Sequence, residues 1–300
     1  MSQTIFPQPL HTGDRIAILS PASIIKPDFV TGAMDALASQ GWKPYTCSHT
    51  LGKSGSYSGS IADRTADLES ALLDPATRAI LCSRGGYGVV HLLERLSLLP
   101  LTDDPKWIIG FSDISALHAL FSTKGIASIH ASMTKHLAST GGKDVDSSML
   151  FDILKGKKPQ YRFPAHNLNR KGKVHGRILG GNLAVLAGLI NTPFDILLGG
   201  NILFIEDIAE PIYKVERILY QLRLSGVLQS LKGLIVGHFT EYHPDNNYPD
   251  METMIRDMVE PYGYPVAFNA PIGHVDHNIP LIENSDIILD VASGTTTLSF

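Results

Sequence analysis

Short apolar runs alternate with helix-period segments through the first half of the chain. Arg15-Ile16-Ala17-Ile18-Leu19-Ser20 reads as a buried strand that Pro21 ends. Residues 28–40 carry a helical pattern that Gly41 closes, and Ser60 with Asp63 three positions on marks a capping box at the start of the next helix. Ala79-Ile80-Leu81-Cys82 predicts another strand, followed by a glycine turn and a helix over 89–96. Residues 107–109 predict a strand, 114–121 a helix and 127–130 a further short strand. Strands that alternate with helices imply a mainly parallel sheet covered by helices on both faces.

The character changes between Lys155 and Lys173, where the chain is basic, polar and turn-rich. Beyond it come the segment Arg177-Ile178-Leu179-Gly180-Gly181-Asn182, predicted strands at 201–205, 234–236, 264–268 and 287–291, and a helix over 212–224. The expected fold class is therefore α/β: an N-terminal parallel, doubly wound domain over 1–160 and a smaller C-terminal α/β domain over 172–300.

Composition narrows the function classes. Hydrophobic residues make up 44% and charged residues 18% of 300, enough for real cores and no sign of disorder. The net charge is −4 with no basic stripe, which argues against a nucleic-acid partner. No apolar stretch is long enough to cross a bilayer, so no membrane partner is expected. Residues 1–7 lack a basic region followed by an apolar one, so no secretory signal is expected. Cys47 and Cys82 make no disulfide framework, and a soluble cytoplasmic protein is the simplest reading.

Four segments carry candidate chemistry. In Ile109-Gly110-Phe111-Ser112-Asp113-Ile114-Ser115 an apolar strand stops at a glycine and restarts as a helix. Such a corner lifts the Ser112 hydroxyl outward and aims the first N–H groups of the helix at whatever it attacks. The fifth position of the G-x-S-x-G elbow is Ile114 here, so that pattern fails, and the competing reading makes Ser112 only a helix N-cap. Ser83-Arg84-Gly85-Gly86-Tyr87-Gly88 follows a strand; its N–H groups suit an oxyanion hole, and Arg84 suits a substrate carboxylate. A dinucleotide loop is excluded because His91 stands where the last glycine of G-x-G-x-x-G belongs.

Glu206-Asp207 directly follow the apolar run 203–205, and one of them can orient a histidine. Pro271-Ile272-Gly273-His274 places a histidine after a turn. His274 with His277, and His238 with Glu241 and His243, lack zinc-protease spacing, so no metal is expected.

Taken together, these segments resemble the LD-carboxypeptidase family (muramoyltetrapeptide carboxypeptidases, the S66 serine peptidases). The likeness runs nearly end to end, through Ser83–Gly88, Gly110-Phe111-Ser112-Asp113 to His118, Gly180-Gly181-Asn182-Leu183, Phe204-Ile205-Glu206-Asp207 and Pro271–His274. The resemblance implies a Ser112, Glu206, His274 triad. The residues themselves add the expectations of oxyanion donors at Gly86 and Asp113 and of substrate contacts at Arg84 and Gly85. The resemblance further implies a small peptide or muropeptide substrate, release of the terminal D-alanine from murein tetrapeptides in cell-wall recycling, a homodimer, and no metal or cofactor.

Departures lie at His130-Ala131, Asn191-Thr192-Pro193 and Val275, where relatives often carry glycine at 131, 191 and 275. A branch of the family that cleaves microcin C-type nucleotide–peptides shares the triad and adds an aromatic that stacks on adenine; Tyr242 and Tyr248 are candidates. A non-catalytic muropeptide-binding protein is the third reading.

Overall fold

The computed structural model describes residues 3–300; Met1 and Ser2, which open the segment read for a secretory signal, lie outside the described residues. The chain divides into two compact units. One comprises 1–158 with 279–283, and the other 159–278 with 284–300. The boundary expected between 160 and 172 therefore falls at Lys158/Pro159, and the second region is interrupted by one strand that belongs to the first unit.

The first unit contains β1 (Arg15–Leu19), α1 (Pro27–Ala38), β2 (Lys43–Thr46), α2 (Ile61–Leu73), β3 (Thr77–Cys82), α3 (Leu93–Leu96), β4 (Trp107–Gly110), α4 (Ser115–Thr123), β5 (Ser128–His130), α5 (Thr134–Thr140) and α6 (Val145–Leu154). The second contains β6 (Gln160–Pro164), β7 (Gly172–Asn182), α7 (Leu183–Ala187), β8 (Ile202–Ile208), α8 (Ile212–Leu224), α9 (Val227–Ser230), β9 (Gly233–Thr240), α10 (Met251–Val259) and β10 (Val266–Ala267). The chain then gives β11 (Leu281–Glu283) to the first unit, and β12 (Asp286–Val291) and β13 (Thr295–Ser299) to the second.

The first sheet runs β11-β5-β4-β3-β1-β2, parallel except for the antiparallel β11 at its edge. Its central strands read as unbroken apolar runs because both faces are covered; Ile16 to Leu19 and Ile80 are fully buried. The expected capping box forms: the Ser60 hydroxyl accepts from the Asp63 N–H, and the Asp63 carboxylate accepts from the Ser60 N–H.

The second sheet runs β10-β9-β8-β7-β12-β13-β6 and is mixed. Strand β7 is the hinge of the pattern. Its residues 172–177 pair antiparallel with β12, and its residues 178–182 pair parallel with β8. The α/β class holds, but one half of this sheet, β7-β12-β13-β6, is antiparallel, where alternating strands and helices predict parallel pairing. Thr295–Ser299 buries only alternate residues, a weak apolar signal that hides a real strand.

Other expected elements shorten. The helix over 89–96 begins as a 3₁₀ turn over Val89–Leu92, and the strand over 264–268 keeps only Val266–Ala267. No helix among the described residues is long and apolar enough to cross a membrane.

Candidate functional site

In the first unit the chain leaves β4 at Gly110 and turns sharply. Ser112 has φ +66°, the left-handed region, which for a residue with a Cβ costs about 1 kcal/mol or more. A capping serine has extended backbone, so this geometry contradicts the N-cap reading; the residue before the 3₁₀ turn Ser112–Ile114 is Phe111, with no side-chain cap. The helix expected over 114–121 is entered through that turn and becomes α-helical at Ser115. Gly110 is required because a Cβ there would meet Ile114 at 2.9 Å and Cys82 at 3.2 Å. Ser112 is half-buried and Asp113 buried.

The glycine loop lies against this corner. A Cβ on Gly85 would come within 2.9 Å of Ser112 Cβ, 3.0 Å of its Oγ and 3.3 Å of the Asp113 nitrogen, so only glycine fits. Gly86 (φ +116°) faces Ser23, whose N–H donates to the Gly85 carbonyl at 3.3 Å. Because the two ends of a trans peptide point opposite ways, the Gly86 N–H is aimed away from Ser23.

Two buried charges set the loop. The Asp113 carboxylate accepts from the Val89 N–H at 3.0 Å. Arg64 donates to the carbonyls of Pro21 at 2.7 Å and Gly88 at 2.9 Å. Burial raises the Asp113 carboxyl above its ordinary value, opposed by the Val89 N–H and the charge of Arg64. Arg84 is exposed and donates to the Ile24 carbonyl at 3.2 Å. Arg64 belongs to none of the motifs above; the signal for it is a charge on the buried face of α2, beside Leu68, Ala71 and Leu72, where it needs partners.

In the second unit, Glu206 lies on β8 opposite Asn182 and is fully buried. His274 Nδ1 stands 2.9 Å from Glu206 Oε2, and its side chain is 17% exposed. The contact exists because residue 273 is glycine: with φ +113°, a Cβ there would sit 2.8 Å from Glu206 Oε2. Strand β9 holds the histidine loop, through Ala270 N–H to the Val236 carbonyl (3.1 Å) and His238 N–H to the Ile272 carbonyl (2.9 Å). The Gly273 N–H donates to Asn278 Oδ1 at 3.0 Å.

The sequence left open which acid serves the histidine, and the geometry separates them. Asp207 accepts from Asn182 Nδ2 (2.8 Å), the Ala184 N–H (2.8 Å) and the Ile208 N–H (2.9 Å), tying β8 to β7 and α7. Burial pushes its carboxyl up to about 6, partly countered by those donors.

The departures find physical reasons at one position. Asn191 has φ +63°, a conformation asparagine tolerates better than other residues with a Cβ, so it fills a place suited to glycine. Tyr242 is committed to the start of α10: its hydroxyl accepts from the Met251 N–H at 3.1 Å and lies 3.4 Å from Glu252. Tyr248 is half-buried in the loop before that helix.

Among the described residues, His136, Asp144 and Asp146 bring ligand atoms within 4.8 Å of one another. The Asp144 carboxylate is already engaged there, capping α6 through the Ser147 N–H and contacting His136 at 2.9 Å. The histidines weighed from the sequence, His238, His243, His274 and His277, belong to no such group.

Comparison with known proteins divides the chain at nearly the same place, except that the C-terminal family match includes the strand 279–283 of the first unit. The LD-carboxypeptidase N-terminal domain family matches residues 16–131, and the LD-carboxypeptidase C-terminal domain family matches residues 175–289. The murein tetrapeptide carboxypeptidase of Pseudomonas aeruginosa is 29% identical over 88% of this chain and 89% of its own. The crystal structure of muramoyltetrapeptide carboxypeptidase from Oxalobacter formigenes aligns with TM-score 0.86 at 26% identity, over 95% of this chain and 98% of that one. The microcin C7 self-immunity protein shares the fold, with TM-score 0.86 at 21% identity over 98% of both chains.

Proposed function

We propose a reaction for this chain, which belongs to the LD-carboxypeptidase family: serine-dependent hydrolysis of the bond to the terminal D-alanine of a murein tetrapeptide. The observation that carries it is the left-handed Ser112, a strained hydroxyl on a strand–helix corner with a glycine loop against it.

Ser112 Oγ attacks the scissile carbonyl and its proton passes to His274. Glu206 occupies Nδ1, so the base is Nε2; the carboxylate fixes that tautomer and stabilises the imidazolium. The N–H groups of Asp113 and Gly86 receive the oxyanion, each worth roughly 2.7–4 kcal/mol by comparison with another hydrolase. The tetrahedral intermediate collapses, the His274 proton goes to the departing D-alanine amine, and water hydrolyses the acyl-serine. Arg84 pairs with the substrate's terminal carboxylate beside Gly85. The reaction so written needs neither metal nor cofactor. The same reading takes the working form to be a cytoplasmic homodimer acting on small muropeptides in cell-wall recycling.

The relatives named for murein peptides support this substrate, whereas the microcin-type likeness is one of fold. The test is mass spectrometry of a disaccharide-tetrapeptide digest. Loss of one alanine is expected from the wild type. Ser112→Ala is expected to bind the tetrapeptide yet turn over at least about 10⁴-fold more slowly, and Arg84→Ala to raise KM. Unchanged turnover by Ser112→Ala would remove serine catalysis, and cleavage of a nucleotide–peptide in place of the muropeptide would move the substrate to the microcin class.

A further inference from the structure

Behind the Ser112 corner lies a buried polar group that the proposed reaction does not use. His118 on α4 is fully buried. Its Nε2 is 2.9 Å from the Gly110 carbonyl, and its Nδ1 is 2.8 Å from Ser128 Oγ on β5. A carbonyl only accepts, so Nε2 carries the proton, and in the neutral ring Nδ1 accepts from the serine hydroxyl. The Gly110 carbonyl also accepts from the Ala131 N–H at 3.0 Å. Two donors thus clamp the last peptide of β4, two residues before the strained serine.

Burial favours a neutral ring. Burial lowers His118 to about 4, the hydrogen bond to Gly110 opposing the shift. The other titratable groups are Glu283 on β11, fully buried and 3.9 Å from Nε2, and His130, whose ring centre is 6.5 Å away and which also meets the Phe111 ring at 5.8 Å. Glu283 faces Ser128 across the β11–β5 pair.

We propose that His118 is a positioning residue: as the Nε2–H tautomer, set by Ser128, it holds the Gly110 carbonyl and with it the left-handed turn that presents Ser112. This rests on reading Ser112 as the nucleophile. The strain at Ser112 needs such a clamp, since a left-handed residue relaxes unless its neighbours fix the backbone on both sides. Asp113 fixes the downstream side through Val89, and His118 fixes the upstream side.

Imidazole ¹⁵N resonances of the full-length wild-type protein test the tautomer directly. Protonated Nε2, bare Nδ1 and no titration between about pH 5 and 9 are expected; an Nδ1–H tautomer or an imidazolium at neutral pH overturns the proposal. In His118→Phe the Nε2 donor is gone, while glutamine can place an amide donor near the same point. His118→Phe is expected to lose about 30-fold or more in kcat with KM within about twofold, and His118→Gln to recover to within about fivefold of wild type. Amide exchange at Ala131 and Ile114, which donate to Gly110 and Phe111, is expected to quicken in the phenylalanine variant and slow again in the glutamine one.

A folded His118→Phe protein with unchanged kcat and exchange, or a loss carried by KM, overturns the clamp. So does a folded glutamine variant that rescues nothing. If the wild type releases no D-alanine, the proposed reaction falls instead, and the resonances and exchange rates still decide the clamp.

Discussion

At the scale of single residues, the features that matter are glycines standing where a side chain would collide and one serine standing where a glycine would be relaxed. Gly273 shows the logic. A methyl group there would overlap the carboxylate that holds His274, and φ +113° penalises any Cβ in addition. Gly273→Ala is therefore expected to separate His274 from Glu206 and lower kcat by about 100-fold or more, because an unoriented imidazole loses most of its value as a base. Steady-state kinetics alongside a thermal melt would check this; a well-folded variant with wild-type kcat would show that the pair is not used.

At the scale of elements, four helix starts among the described residues are fixed by a polar side chain that accepts from the first turn: Ser60, Asp144, Asn182 and Asp250. Asp144 is a clear case. It caps α6 through the Ser147 N–H, and hydrogen bonds from Ser147, Thr140 and His136 hold its carboxyl well below the ordinary range even though burial opposes them. Its folded value lies below its unfolded one, so its contribution is complete above the unfolded value near 4 and fades as pH falls toward the folded one. Asp144→Ala is expected to cost about 1–2 kcal/mol at neutral pH. The gap to wild type should narrow as the pH drops below about 4; denaturant titrations across that range would show a gap near zero at every pH if the cap contributes nothing. The capping box at Ser60 belongs to the same scale and was plain in the sequence, because both partners lie three residues apart.

At the scale of the molecule, the chain does not divide as two consecutive beads. β11 comes from residues 281–283 and completes the edge of the first sheet beside β5. A fragment of residues 1–158 lacks that strand, exposing the β5 edge and leaving the wall beside His118 open. It is expected to self-associate, since an uncovered apolar strand edge is a template for pairing. Light scattering on the fragment would test this; a stable monomer melting like the full chain would show β11 to be dispensable.

Local signals were enough for much of this protein. Buried parallel strands announce themselves as apolar runs, capping pairs sit within one helical turn, and a serine after strand and glycine marks a corner; these made the α/β class and the candidate Ser112 readable, while Glu206 and His274 were joined to it by the ordered motifs of the family resemblance. The sequence could not distinguish a capping serine from a strained one, because φ at Ser112 depends on Gly85 and Ile114 packing against the corner. The local pattern likewise left Glu206 and Asp207 equivalent, and only the resemblance pointed to Glu206; side chains alternate across a strand, and in the sheet Glu206 meets the histidine while Asp207 binds Asn182. The antiparallel half of the second sheet, the return of β11 and the His118 clamp all join residues far apart along the chain. Pairings of that kind are set by which surfaces bury one another, information that no local pattern of polar and apolar residues contains.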